Sequence, residues 1–245
     1  MIGKGGGALR APQREEAKGM RIAGLQKTTL LDYPGKVACT VFLAGCNFRC
    51  PFCQNAEILD GCPDGIAEEE LFSFLGRRRG ILDGVCVTGG EPLCGEIATF
   101  LQKIKALGYA VKLDTNGAFP EKLKALAAEG LLDFIAMDIK SSPARYPALT
   151  GVKCDTAKIK ESAAFLMESG IPYEFRTTCV KPLHRPEDFV YIGQWLAGAK
   201  AYFLQNFRQS DAVPAKGLSP FSHHEMQALL QLVLPYIPNA QIRGE

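Results

Sequence analysis

The chain has 245 residues, 47% of them apolar, and its 28 Lys and Arg against 26 Asp and Glu leave a formal net charge of +2. So small a charge leaves no electrostatic footprint for nucleic acid or an anionic membrane, and no run approaches the roughly 18 apolar residues of a spanning helix. The length suits one domain of barrel size or two small ones, and nine cysteines, an odd number, argue for a reducing cytoplasm and against a disulfide framework.

Residues 1–19 carry Gly, Lys and Arg without apolar periodicity and without the apolar core of a signal peptide. They are expected to form a disordered tail, with the domain proper over 20–245 and translation expected to start at Met20. Ile22–Leu25 and Thr28–Leu31 lead into Asp32-Tyr33-Pro34-Gly35, a turn by composition. Val37 to Leu43 is β-branched and continuous, as in a strand buried on both faces. Helical spacing follows from Ala67 to Arg79, with Glu68 to Glu70 in the first turn, where the helix dipole favours acids.

From there strands and helices alternate. Strands are expected at Gly84–Thr88, Tyr109–Leu113, Phe134–Ile139, Tyr173–Val180 and Ala201–Asn206. Helices are expected at Glu96–Leu107, Pro120–Glu129, Ala157–Ser169, Pro186–Leu196 and Ser222–Leu234, the last opened by a Ser222/Glu225 capping box. Ala240 to Arg243 adds a short terminal strand. Such alternation means an α/β fold with a parallel sheet and helices outside. A doubly wound sheet and a barrel both fit, and six strand–helix units favour a partial (β/α)6 TIM-like barrel. In either case chemistry belongs at the carboxyl ends of the strands.

Each candidate motif falls at such an end. After the first parallel strand come Cys46, Cys50 and Cys53 at spacing three then two, with Phe52 just before the last. Thiolates suit zinc, copper(I) or iron–sulfur clusters. A structural zinc site would want a fourth ligand nearby; none follows closely, and buried unligated cysteines are the other alternative. Later strands end in Thr88-Gly89-Gly90-Glu91-Pro92, in Leu113-Asp114-Thr115-Asn116-Gly117 and in Met137-Asp138-Ile139-Lys140. Arg176 lies inside a β-rich run and needs a buried anionic partner. Cys39, Cys86 and Cys179 read as core residues, Cys62, Cys94 and Cys154 form no second ligand set, and His184, His223 and His224 read as loop and helix-surface residues. No catalytic acid or base is singled out.

The Cys-x3-Cys-x2-Cys loop with Phe52, followed by Gly89-Gly90-Glu91-Pro92, resembles the radical S-adenosylmethionine (SAM) enzymes. The resemblance implies one [4Fe-4S] cluster on Cys46, Cys50 and Cys53, with SAM on its open iron. It also implies Phe52 near the adenine and Gly89, Gly90 and Glu91 at the amino group of SAM. Lys140 and Arg176 are expected to meet the carboxylate of SAM, with Asp138 or Asp114 the alternative partner of Arg176, and Asp114 is expected to meet a ribose hydroxyl, a cation or the charged end of SAM. The Asp114-Thr115-Asn116-Gly117 and Asp138-Ile139-Lys140 segments are similar to those of glycyl-radical-enzyme activases, where an alkali cation would sit by Asp114, Thr115 and Asp138. That family has Met at the position of Ala136, whereas here Met137 comes one residue later. The stretch from Met20 to Asn55 looks most like activating proteins of anaerobic ribonucleoside-triphosphate reductase. Such an enzyme would take electrons from a flavodoxin or ferredoxin, work under anaerobic conditions and act on a glycine of a partner enzyme. A radical SAM enzyme of the 7-carboxy-7-deazaguanine synthase type and a non-enzymatic metal-binding interaction module are the alternatives.

Overall fold

The structure is a computed structural model and describes residues 20–62 and 64–244. The tail expected over residues 1–19 lies outside the described residues. The described chain runs β1 (Ile22–Thr29), β2 (Ala38–Leu43), α1 (Glu68–Arg77), β3 (Gly84–Gly89), α2 (Ala98–Ala106) and β4 (Ala110–Thr115). It continues with α3 (Pro120–Ala128), β5 (Phe134–Asp138), α4 (Tyr146–Thr150), α5 (Thr156–Glu168) and β6 (Tyr173–Cys179). It ends with α6 (Pro186–Trp195), β7 (Tyr202–Asn206), α7 (His223–Val233) and β8 (Ala240–Arg243). Among the described residues these strands form one sheet in simple sequence order, β1 to β8, and β1 and β8 end it without pairing to each other. Only β1 runs antiparallel to its neighbour; β2 to β8 are parallel. The result is an α/β fold with an open, partial TIM-like barrel.

Two layers of side chains follow from the period-two alternation of each strand. On β4, Val111 and Leu113 are buried against the helices, while Lys112 and Asp114 share the opposite, concave face. On β6 the concave face carries Glu174, Arg176 and Thr178. Helices close the outer layer with apolar stripes such as Leu71, Phe74 and Leu75 of α1. The local signals at helix starts are present: the reciprocal Ser222/Glu225 capping box of α7 and Pro at the first turn of α3 and α6.

Differences from the sequence reading are local. The short α4 was not expected, because it has barely one turn and no periodicity to reveal it. The turn at Asp32-Tyr33-Pro34-Gly35 is not simply a surface loop: the Tyr33 ring is buried beside Gly84 and Phe134, with a ring-centroid separation of 6.0 Å to the latter. Gly84 is required there, since a Cβ would come within 2.9 Å of the Tyr33 ring. Cys39, Cys86 and Cys179 are buried as expected, Cys62 and Cys154 are half-buried, and Cys94 is exposed. His184 lies in the loop between β6 and α6, as expected, but is buried there, at 4% exposure.

Candidate active site

The cysteine loop leaves β2 and is fastened on several sides by backbone hydrogen bonds. Gly45 N–H donates to Ile58 O at 2.8 Å, Arg49 N–H to Thr150 O at 2.7 Å and Ala215 N–H to Pro51 O at 3.1 Å. At the end of α4, Gly151 (φ +67°) lets the loop dock, because a Cβ would stand 2.1 Å from Arg49 O. Cys46, Cys50 and Cys53 all line one cavity of about 190 Å³, with Phe52, Gly89, Gly90, Asp114, Asp138 and Lys140. Phe48 N–H points at Cys46 Sγ and Asn55 N–H at Cys53 Sγ, each at 3.4 Å. Burial pushes the Cys46 thiol up to about 12 and also raises that of Cys50, so a cationic metal centre is needed to ionise them. A larger cleft on the outer side, lined by Arg21, Glu68, Thr99 and Lys103, holds none of these three cysteines.

The Gly89-Gly90 pair is demanded first by the protein's own backbone. A Cβ on Gly89 (φ +115°) would fall 2.3 Å from Leu43 O, and one on Gly90 2.0 Å from Gly45 O. Gly90 N–H donates to Leu43 O at 2.9 Å and Glu91 N–H to Gly45 O at 2.8 Å, so the turn is sewn to the cysteine loop. Asn55 Nδ2 adds a bond to Gly89 O at 2.9 Å. The Glu91 carboxylate is buried at 2% exposure and engaged by the protein. Oε1 accepts from Thr115 Oγ1 at 2.8 Å and Leu93 N–H at 3.1 Å, and Oε2 accepts from Asn116 N–H at 2.6 Å. Burial, only partly offset by these donors, raises its pKa to about 7. Glu91 therefore stands behind the cavity and ties the end of β4 to the end of β3.

Charged side chains on the concave face form one alternating chain. Lys112, 1% exposed, contacts Asp114 Oδ1. Arg176 reaches Asp114 Oδ2 at 3.2 Å through a terminal nitrogen and Asp138 Oδ1 at 2.9 Å through Nε. Lys140 Nζ donates to Asp138 Oδ2 at 3.1 Å. Burial alone would raise the Asp138 carboxyl; Arg176 and Lys140 more than reverse this and hold it far below the usual range. Lys140 lines the cysteine cavity, whereas Arg176 faces an adjoining groove of about 730 Å³. That groove lies between the β1–β2 turn and the β6–β8 side, and Gln54 and Thr178 line both spaces. Leu30 and Leu31 stand at its edge, 70% and 88% exposed.

Among the site's neighbours, the sequence reading missed Lys112, His184 and the amides Asn47 and Asn55. Asn47 Oδ1 accepts from Asn116 Nδ2 at 2.8 Å, linking the cysteine loop to the end of β4. The signal for Lys112 was available: a charge inside a β run, two residues before Asp114, poses the same question that Arg176 posed.

The chain belongs to the Radical SAM superfamily, whose family model matches residues 40–193, and it is a radical SAM enzyme. It is homologous to glycyl-radical-enzyme activating enzymes. MJ1227 of Methanocaldococcus jannaschii, a protein named for glycyl-radical enzyme activation, is 29% identical over 91% of this chain and 95% of its own. The pyruvate formate-lyase-activating enzyme of Listeria monocytogenes is 27% identical over 84% of this chain and 86% of its own. A more local match, 38% identical, covers 36% of this chain and 38% of the 7-carboxy-7-deazaguanine synthase of Hyperthermus butylicus.

Membership implies a [4Fe-4S] cluster and SAM, and the residues fit. Three soft donors line a common cavity, yet among the described residues no three His, Cys, Asp or Glu side chains gather around a point that one ion could occupy. Soft thiolate donors of this kind are the donor set of iron–sulfur clusters. The alkali cation fares differently. Lys112, Arg176 and Lys140 take the oxygens of Asp114 and Asp138, and Thr115 is bonded to Glu91.

Proposed function

We propose that this enzyme activates a glycyl radical enzyme, most closely anaerobic ribonucleoside-triphosphate reductase, by removing a hydrogen atom from one glycine of that partner. The observation that carries the reading is the likeness to MJ1227 across nearly the whole of both chains. The open barrel supports it, because a groove beside the cavity leaves a lateral path for a polypeptide segment. A [4Fe-4S] cluster held by Cys46, Cys50 and Cys53 would, with SAM and an electron from a flavodoxin or ferredoxin, supply the hydrogen-abstracting chemistry and leave methionine and 5′-deoxyadenosine.

In this reading Cys46, Cys50 and Cys53 hold the cluster. Lys140 presents a point charge to the carboxylate of SAM. Phe52 packs by the adenine, and the Gly89-Gly90 turn, immobilised by Leu43 and Gly45, offers backbone groups to the amino end. Arg176 and Asp114 set the charge around them, and Glu91 keeps the ends of β3 and β4 in register. Fixing the reactants in this way makes the reaction effectively unimolecular, and the protein's own part is binding, orientation and exclusion of competitors.

The experiment is anaerobic: reconstituted, reduced enzyme is given SAM with and without the candidate reductase. 5′-Deoxyadenosine is assayed while the radical is followed by electron paramagnetic resonance. A glycyl doublet that needs both proteins supports the reading. The local match to a 7-carboxy-7-deazaguanine synthase favours a second reading, a small-molecule substrate. Deoxyadenosine without a glycyl signal would move that reading ahead.

A further inference from the structure

We propose that Lys112 is a built-in cation, which takes the place of an alkali ion between the carboxylates of the site and makes this enzyme independent of monovalent metals. Asp114 and Asp138 stand on adjacent strands in a partly buried space, where two like charges repel strongly unless cations lie between them. Here every carboxylate oxygen of the pair has a cationic partner from the protein. Lys112 Nζ is on Asp114 Oδ1. Arg176 contacts Asp114 Oδ2 at 3.2 Å and Asp138 Oδ1 at 2.9 Å, and Lys140 contacts Asp138 Oδ2 at 3.1 Å.

The Thr115 hydroxyl beside the pair is also engaged within the protein, and it accepts from Gly117 N–H at 3.1 Å. Thr115 Oγ1 donates to Glu91 Oε1 at 2.8 Å. Ala136 shares the concave face of β5 with Asp138 but offers no side-chain donor. Met137 faces the opposite way: its methyl would lie 2.1 Å from a Cβ on Gly117, so the thioether is packed beneath that glycine. Lys112 itself is 1% exposed and rests with Nζ 3.8 Å from Cys86 Sγ. An ammonium is a compact point charge, and a mobile cation brought to the same carboxylate would meet its repulsion. Lys112 is thus a positioning residue: it holds Asp114, which in turn holds Arg176. It plays this part whichever substrate the radical attacks.

The test compares chloride salts of choline, sodium and potassium at matched ionic strength, with two readouts: SAM affinity of the reconstituted enzyme by calorimetry, and the thermal midpoint of the cluster-free protein. The native protein is expected to give the same values in all three salts, within about twofold for affinity. A tenfold tightening of SAM in sodium or potassium would overturn the proposal. Removing the ammonium in Lys112→Ala opens a space beside Asp114. In choline this variant is expected to lose about tenfold in SAM affinity and to melt at lower temperature, and potassium or sodium is expected to restore both. A variant that is equally stable and binds SAM equally well in choline and in potassium would also overturn it. If Lys112→Ala folds in none of the salts, the native comparison decides alone. As a control, Lys112→Met combined with Asp114→Asn removes both members of the pair and is expected to be cation-insensitive; rescue of this double variant by potassium would again overturn the proposal.

Discussion

The imidazole of His184 stands edge-on to the ring of Phe52, with ring centroids 6.2 Å apart and planes at 65°. His184 also joins two strand ends. Its Nδ1 accepts from Val180 N–H at 3.1 Å, which leaves the proton on Nε2 to donate to Lys140 O at 2.8 Å. One buried ring thus fixes the main chain at Lys140 and packs against the aromatic next to Cys53.

That arrangement requires the neutral tautomer. Burial holds the His184 pKa below its ordinary 6.5, so the folded state binds fewer protons than the unfolded state just under that pH. Stability from this group is therefore complete above about pH 6.5 and is lost as pH falls through the lower, folded-state value. Taken alone, this contribution weakens the cluster-free protein as pH falls from about 7.5 to about 5, against the opposite slope that Glu91 supplies over the same range. His184→Gln should be less stable at neutral pH by roughly 1–3 kcal/mol, and its gap to the native protein should narrow as pH falls over that range. An unchanged slope in the variant would assign the pH dependence to other groups.

Gly90 separates two accounts of the Gly-Gly turn. If the glycine serves only ligand approach, Gly90→Ala should leave the empty protein intact. The structure instead puts the new methyl 2.0 Å from Gly45 O, on the loop that carries Cys46. Backbone must move, and a cost of about 2–4 kcal/mol in unfolding free energy is expected before any cofactor is added. Denaturation of the cluster-free variant, paired with iron content after reconstitution, checks both consequences.

How much of this was legible in the chain depends on whether a residue's partner lies near it in sequence. The alternation of strands and helices, the concave placement of Lys140 and Arg176, and the cysteine loop at the end of a strand follow from periodicity and spacing. The Ser222/Glu225 cap is local and was readable as such. Glu91 was not, because its three donors come from Leu93, Thr115 and Asn116, and the last two belong to the next strand's end. The enclosure of His184 is unreadable for the same reason: nothing beside it in the chain announces that Val180 and Lys140 will enclose it. Lys112 was missed although the rule that found Arg176 applies to it equally.

Lys140 and Arg176 should fail in different ways. Lys140 lines the cysteine cavity and has one carboxylate partner. Lys140→Met is expected to bind SAM about 10- to 100-fold more weakly, the worth of a charge-assisted contact, with iron content unchanged. Arg176 bridges Asp114 and Asp138, so Arg176→Gln leaves buried carboxylates uncompensated. Its first effect is expected on folding, about 3–5 kcal/mol, visible without SAM. Equal stability of the two variants, with equal loss of SAM, would instead put both side chains on the ligand.

The carboxylate of Glu91 offers the sharpest contrast between charge and shape. Both of its oxygens face N–H donors, from Leu93 and from Asn116. Glu91→Gln keeps the shape but turns an NH2 group toward one of those donors, so a buried clash of hydrogens replaces a hydrogen bond. Because burial lifts the carboxyl to about 7, the folded state holds this proton more tightly than the unfolded state does. The native protein's stability from this group is then full at low pH and falls as pH rises from about 4.5 through about 7. Gln does not titrate, so that part of the slope should vanish in the variant. The variant itself should be less stable at acid pH by roughly 1–3 kcal/mol, with the gap narrowing toward neutral pH. Urea midpoints of both proteins across that range measure it, and a gap that widens with pH would mean that the ionised carboxylate is the form the fold prefers.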